Sequence, residues 1–177
     1  SSNSINNSTS IASAGSTANL TLITGTGNDT IVAGSGNDSI TLTGGANTVT
    51  GGNGNDTINL STGNDTVNSG SGNDTVEAAA GTNSITTESD NDRVTLTGGT
   101  NTVNTGSGNN VVIASGGDNN ITTGSGGDTV ALTGTGNNTV NTDSSGDSVS
   151  ASAGTNAINT GSSGDNVTLT GGANTVN

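Results

Sequence analysis

The sequence predicts an all-β fold, a parallel β-solenoid with 18 residues per coil, from three observations. Apolar, mostly β-branched residues recur every nine positions, glycine-rich turns separate them in phase, and two kinds of repeat alternate, so that one coil is two repeats long. Composition sets the problem that such a fold solves. Of 177 residues 31 are Gly, none is Pro, Cys, Met or aromatic, and 25% are hydrophobic. So little apolar surface cannot close a compact globule. A solenoid needs less, because every coil shares backbone hydrogen bonds and a thin core with its neighbours.

The nine-residue series runs Ile31, Ile40, Val49, Ile58, Val67, Val76, Ile85, Val94, Val103, Val112, Ile121 and Val130. One step of ten leads to Val140, and steps of nine resume through Val149, Ile158, Val167 and Val176. Upstream, Ile11 and Leu20 continue the series with a step of 11 to Ile31. The expected organisation is an irregular N-terminal part over residues 1–24 and one regular array over residues 25–177, about nine coils in all.

Two residues beyond each series position the repeats divide. One set carries Leu22, Leu42, Leu60, Ala78, Leu96, Ala114, Leu132, Ala151 and Leu169; the other carries Ser13, Ala33, Gly51, Ser69, Thr87, Thr105, Thr123, Thr142 and Thr160. Residues two apart on a strand share a face. Each coil therefore has one strand with two inward apolar residues, the L-strand, and one with an apolar then a small or polar residue, the T-strand.

The turns divide in the same way. Two residues before the series position, turns entering L-strands (L-turns) carry Asp38, Asp56, Asp74, Asp92, Asn110, Asp128, Asp147 and Asp165. Turns entering T-strands (T-turns) carry Asp29, Asn47, Asp65, Asn83, Asn101, Asn119, Asn138, Asn156 and Asn174, with a Gly two residues earlier in all nine. Such a glycine implies a backbone angle that other residues adopt at a cost. The solenoid thus has an aspartate edge and an asparagine edge. Stacking at about 4.8 Å brings like carboxylates close enough to repel unless a cation lies between them. The asparagine column reads as a ladder of side-chain amides that needs no metal.

The L-turns Gly34-Ser35-Gly36-Asn37-Asp38, Gly52-Asn53-Gly54-Asn55-Asp56, Gly70-Ser71-Gly72-Asn73-Asp74 and Gly124-Ser125-Gly126-Gly127-Asp128, each with an apolar residue two further on, resemble the repeats-in-toxin (RTX) nonapeptide, G-G-x-G-x-D-x-U-x. The resemblance implies a right-handed parallel β-roll that binds Ca²⁺ between successive turns through carboxylates and glycine carbonyls. It makes Asp38, Asp56, Asp74, Asp92, Asp128, Asp147 and Asp165 the metal ligands. The pairs 38/56, 56/74, 74/92, 128/147 and 147/165 suggest about five sites. Asn110 interrupts the column, and Glu88, Asp90 and Asp143 stand where turns have lost glycines and are candidate extra ligands.

A net charge of −13, with Arg93 the sole base, excludes nucleic acid as a partner and favours cations. No apolar run is long enough for membrane insertion. Without His or Cys there is no ordinary base or nucleophile, and a uniform carboxylate ladder offers no distinct acid and base, so the chain is read as non-enzymatic. Arg93, beside Asp92 and near Glu77 or Glu88 by register, is expected to form a surface ion pair. The expected role is a secreted, calcium-stiffened scaffold at a bacterial surface: a segment of a filament, adhesin or surface layer. End-to-end self-association is its expected contact, and a cell surface or polysaccharide another. The alternative is an ice-binding solenoid that uses the outward Thr and Asn rows of the T-strands, such as Thr48/Thr50, Thr66/Asn68 and Thr102/Asn104, which Val32, Asn120 and Ala157 break.

Overall fold

The computed structural model describes residues 8 and 10–177 and the backbone of residues 4–5. It is a parallel β-solenoid of two ten-stranded sheets. The L-strands form one sheet, from Ser4–Ile5 to Asn166–Leu169, and the T-strands form the other, from Ser10–Ala12 to Ala173–Val176. Neighbours in each sheet are separated by a single strand of the other, so every hydrogen-bonded partner lies one coil away. Val94 stacks on Val76 and Val112, and Val103 on Ile85 and Ile121. Val, Ile and Thr suit this pleated, half-buried surface. The alternation they impose is visible in strand Ser39–Leu42, where Ile40 and Leu42 are buried and Ser39 and Thr41 point outward.

The core is a stack of thin layers. Val or Ile of both strands meets the Leu or Ala column of the L-strands, and Ile40, Ile58, Leu60, Val94 and Leu96 have no exposed surface. The polar column of the T-strands lies inside as well. Thr87, Thr105 and Thr123 are fully buried. Two of the hydroxyls find partners along the axis: Thr87 Oγ1 donates to the Thr105 carbonyl at 3.2 Å and Thr105 Oγ1 to the Thr123 carbonyl at 3.0 Å.

The glycine column of the T-turns is a steric requirement. Eight of the nine have positive φ, from 80° at Gly117 to 147° at Gly136, the exception being Gly27. At Gly63 (φ 139°) a Cβ would also collide with the Gly45 carbonyl oxygen of the preceding coil. Coils stack too closely there for any side chain.

The N-terminal register differs from the sequence expectation. Leu22, not Leu20, occupies the series position, pairing with Ile40, and Thr24 takes the next inward place, 1% exposed. Ile11 pairs with Ile31, 20 residues on, so the two extra residues fall between Ile11 and Leu22 rather than after Leu20. The reason is the T-turn Gly25–Asp29, which keeps nine residues from Leu22 to Ile31. The turn after Ile11 has no such constraint and absorbs the insertion. The ten-residue step before Val140 makes a 19-residue coil, with Thr129 paired to Ser148 and Asn120 to Thr139.

Candidate metal edge

Local sequence aims the aspartates inward. In Ser69-Gly70-Ser71-Gly72-Asn73-Asp74, Ser69 and Asp74 are both buried and the intervening glycines carry the chain around the corner with φ of 101° and 120°. The structure brings all seven predicted ligands into one column. Oδ1 of each accepts the backbone N–H of the equivalent residue one coil earlier: Asp38 N to Asp56 at 2.8 Å, Asp56 N to Asp74 at 2.8 Å, Asp74 N to Asp92 at 2.8 Å, Asp128 N to Asp147 at 2.8 Å and Asp147 N to Asp165 at 3.0 Å. Asn110 continues the ladder, accepting from Asp92 N at 2.9 Å and passing its own N–H to Asp128 at 2.7 Å. Leu20 caps it, its N–H donating to Asp38 Oδ1 at 2.6 Å.

The second oxygen tells a different story. Oδ2 of Asp38, Asp56, Asp74, Asp92, Asp128 and Asp147 is buried and has no hydrogen-bond partner. A buried carboxylate oxygen without a donor is costly. Burial accordingly pushes four of these acids up: Asp56 to about 7, Asp92 and Asp128 to about 6, with Asp74 also raised. Neighbouring carboxylates add to this, Asp74 and Asp38 acting on Asp56 and Asp147 on Asp128. The backbone hydrogen bonds to Oδ1 oppose it. Asp56 faces Gly51 at the equivalent place, where a Cβ would strike its Oδ2, and it is the highest of the values.

The T-edge has the same geometry with the opposite chemistry. Asn83 Nδ2 donates to Asn101 Oδ1 at 2.9 Å, Asn101 to Asn119 at 2.8 Å, Asn119 to Asn138 at 2.9 Å, Asn138 to Asn156 at 2.8 Å and Asn156 to Asn174 at 2.7 Å. The expected amide ladder is therefore present. Asn101 Nδ2 also reaches its own turn, at the Gly98 carbonyl, 3.0 Å away. Where an amide places N–H groups, an aspartate places an oxygen. The L-edge slots thus call for a positive, oxygen-seeking group, and the residues fit Ca²⁺, a hard cation that accepts carboxylate and carbonyl oxygens in irregular shells. The stacked glycine turns would supply the carbonyls, which lie close between coils: a Cβ on Gly52, Gly70 or Gly126 would run into the carbonyl of Gly34, Gly52 or Gly108. Among the described residues no three acidic side chains converge, so a Ca²⁺ here would take at most two carboxylates and need backbone oxygens for the rest of its shell.

The extra acids serve other partners. Glu88 turns outward, accepting from Asn68 Nδ2 at 2.6 Å. Asp90 Oδ2 accepts from Gly72 N at 3.1 Å, and Asp143 Oδ1 from Ser145 N at 2.8 Å. Glu88 and Asp90 hold positive φ (71° and 81°), standing one coil before Gly106 and Gly108 in the same stack. Arg93 forms no ion pair among the described residues: on the outer face it stacks between Thr75 and Val111, while Glu77 lies beside Thr95.

Sequence reasoning missed a second ladder on the L-edge. Asn19, Asn37, Asn55, Asn73, Asn91 and Asn109, each just before the carboxylate column, accept through Oδ1 from the backbone N–H one coil later, at 2.7–3.0 Å. Aspartates tie each turn to the coil before and these asparagines to the coil after. An Asn at every one of those six turns was the available signal.

The fold and its edge define the class: a parallel β-solenoid repeat protein with a column of buried, half-satisfied carboxylates along one side. The RTX calcium-binding nonapeptide repeat model matches residues 23–58, 41–76, 60–94, 68–102, 95–130 and 132–167, most of the chain, and the chain belongs to that family. No curated protein and no solved structure matches it.

Proposed function

We propose that this chain is a secreted structural scaffold stiffened by calcium, a segment of a bacterial extracellular filament, adhesin or surface layer. The observation that carries the reading is the row of buried Oδ2 atoms without a donor, in a family of calcium-binding repeats. Asp38, Asp56, Asp74, Asp92, Asp128, Asp147 and Asp165 would hold the metal in neighbouring pairs, with glycine carbonyls of the L-turns. Bound calcium supplies the positive charge that the column lacks. The chain's own residues do the rest: Oδ1 fixes the register of successive coils, Oδ2 presents the charge, and the glycines let the turns approach. Low calcium inside the cell would leave the chain unfolded for export, and high calcium outside would close it. Coils of further copies, or of a longer array, would extend the two sheets end to end. A cell surface or polysaccharide is the remaining candidate contact. Catalysis forms no part of this reading.

Millimolar Ca²⁺ added to chelated protein should raise the β-sheet circular dichroism and the melting temperature, with Mg²⁺ doing much less because it demands tighter octahedral geometry. Unchanged signals after EDTA treatment would remove calcium from the structural account. Ice binding is the second reading. It is favoured by the exposed threonines stacked in register on the T-sheet, Thr30 on Thr48 and Thr48 on Thr66, and a thermal-hysteresis measurement decides it.

A further inference from the structure

We propose that calcium closes only one edge of this solenoid: the T-edge is a metal-free amide spine, and removing calcium loosens the L-turns while the T-turns stay closed. The inference rests on the calcium reading of the L-edge given above.

From Asn83 to Asn174 the T-edge satisfies itself. Each amide nitrogen from Asn83 to Asn156 gives one hydrogen to the next coil, at 2.7–2.9 Å. At Asn83, Asn101, Asn119 and Asn156 the same nitrogen gives its other hydrogen to its own turn, as Asn119 does to Gly116 O at 3.2 Å and Asn156 to Ala153 O at 2.9 Å; Asn138 makes the inter-coil bond alone. The oxygen accepts what the preceding coil sends. The column is neutral, so nothing repels along the stack, and its buried donors and acceptors face one another.

The L-edge is the reverse. Its ladder uses one oxygen of each carboxylate and leaves the other bare inside the protein. Without a cation each of these groups must take up a proton or reach water. Reaching water means opening the turn, because Asp56, Asp74 and Asp128 are each 1% exposed. The L-turns 52–56 and 70–74 each carry two glycines, which gain chain entropy on opening. The strands behind them do not have to follow. The T-strands are joined by their own backbone ladder and by the inward hydroxyls of Thr87 and Thr105. Opening is therefore local, confined to a unit of low stability beside one of higher stability. Along the axis the spine is unbroken only after Asp65, whose Oδ2 is buried without a partner inside the amide column. The metal-independent edge runs over residues 83–174.

Amide hydrogen exchange of the intact chain, loaded with Ca²⁺ and then treated with EDTA at constant pH, tests this. Residues 54–56, 72–74 and 126–128 should lose protection on chelation, while residues 99–101, 117–119 and 154–156 keep theirs. Joint loss at both sets would overturn the inference and leave calcium as the closure of the whole fold. No change at either set would overturn it together with the calcium reading of the L-edge, so the two failures differ. A second arm uses Asn119→Leu with calcium present. Loss of protection at 99–101 and 117–119 is expected, and full protection there would show that the amide column is not what closes the T-edge.

Discussion

Asp92 and Asn110 are neighbours in one column, a coil apart, and differ at a single side-chain group. Both are buried, 2% and 1% exposed. Both accept, through Oδ1, the backbone N–H of the coil before, at 2.8 and 2.9 Å. The other atom separates them. Asn110 Nδ2 donates to the Gly108 carbonyl at 3.2 Å, whereas Asp92 Oδ2 has no partner. The turn thus offers a slot lined by acceptors that wants a donor. An amide fills it with its own hydrogens; a carboxylate fills it only with help from a proton or a cation. Repeated along the axis, that one difference distinguishes the two edges of the molecule.

The largest consequence is a pH dependence with opposite signs in the two metal states. Burial pushes Asp56 up to about 7 and Asp92 and Asp128 up to about 6, with Asp38, Asp74, Asp90 and Asp147 as the charges nearest to one or another of them. A carboxyl with a raised folded pKa binds more protons folded than unfolded, so its contribution to stability falls as pH rises. In EDTA the melting temperature should therefore decline from about pH 4 to pH 7 and flatten above that range. With saturating Ca²⁺ it should rise over the same interval, because protons compete with the metal. Melting curves across pH 4–8 in both buffers check the pair of slopes, and parallel slopes would mean that the carboxylates are not the metal-linked groups.

Exchanging the chemistry of the two edges should have the next largest effect. Asn101→Asp deletes the donors to Asn119 Oδ1 and to the Gly98 carbonyl and sets an oxygen against both. In EDTA it should destabilise by about 3 kcal/mol in chemical denaturation, the cost of a buried charged group left unpaired. Asp74→Asn does the converse. It should stabilise the chelated protein by about 1 kcal/mol yet remove two calcium equivalents in titration calorimetry, because Asp74 serves the 56/74 and 74/92 pairs. A chelated Asn101→Asp protein as stable as the parent would deny that the slot requires a donor.

Much of this was legible in the sequence, and the remainder shows what periodicity cannot supply. The series Ile31, Ile40, Val49 fixes strands, coil length and inward faces, since only a stacked array uses such a period. The segregation of Asp38, Asp56 and Asp74 from Asn83, Asn101 and Asn119 marks the two edges. The phase of the first coil was not legible: Leu20 and Leu22 lie two apart, share a strand face, and fit the alternation equally well. The turn after them settles the choice by keeping its nine-residue length. Nor did composition reveal how each side chain divides its bonds. Asn37, Asn55 and Asn73 look like ordinary turn residues, and their role as acceptors from the next coil depends on a backbone N–H that only stacking brings near. Glu88 and Asp90 show a similar limit. The stack assigns them left-handed positions filled by glycine one coil later, and their own identity hides it.

The smallest expected effect is the sharpest test of the comparison. Asp65 is the carboxylate set between Asn47 and Asn83 in the amide column. Its Oδ1 accepts both the backbone N–H and Nδ2 of Asn47, at 2.9 and 2.8 Å. Its own N–H reaches Asn83 Oδ1 at 3.1 Å. Oδ2 is buried with no partner, and burial raises its pKa against the two Asn47 hydrogen bonds, with no neighbouring carboxylate contributing. An L-edge aspartate has a like residue one coil away to share a calcium; Asp65 has amides on both sides. Asp65→Asn should therefore leave calcium stoichiometry unchanged and extend the spine to Asn47, gaining about 1 kcal/mol from the restored donor. The gain should be equal with calcium and with EDTA, since no metal is involved. It should shrink at acidic pH, where a protonated Asp65 already donates as an amide would. Titration calorimetry and denaturation of this variant beside Asp74→Asn decide the matter. If both variants lose the same calcium, the T-edge is also a metal edge, and the contrast between the two columns reduces to one of degree.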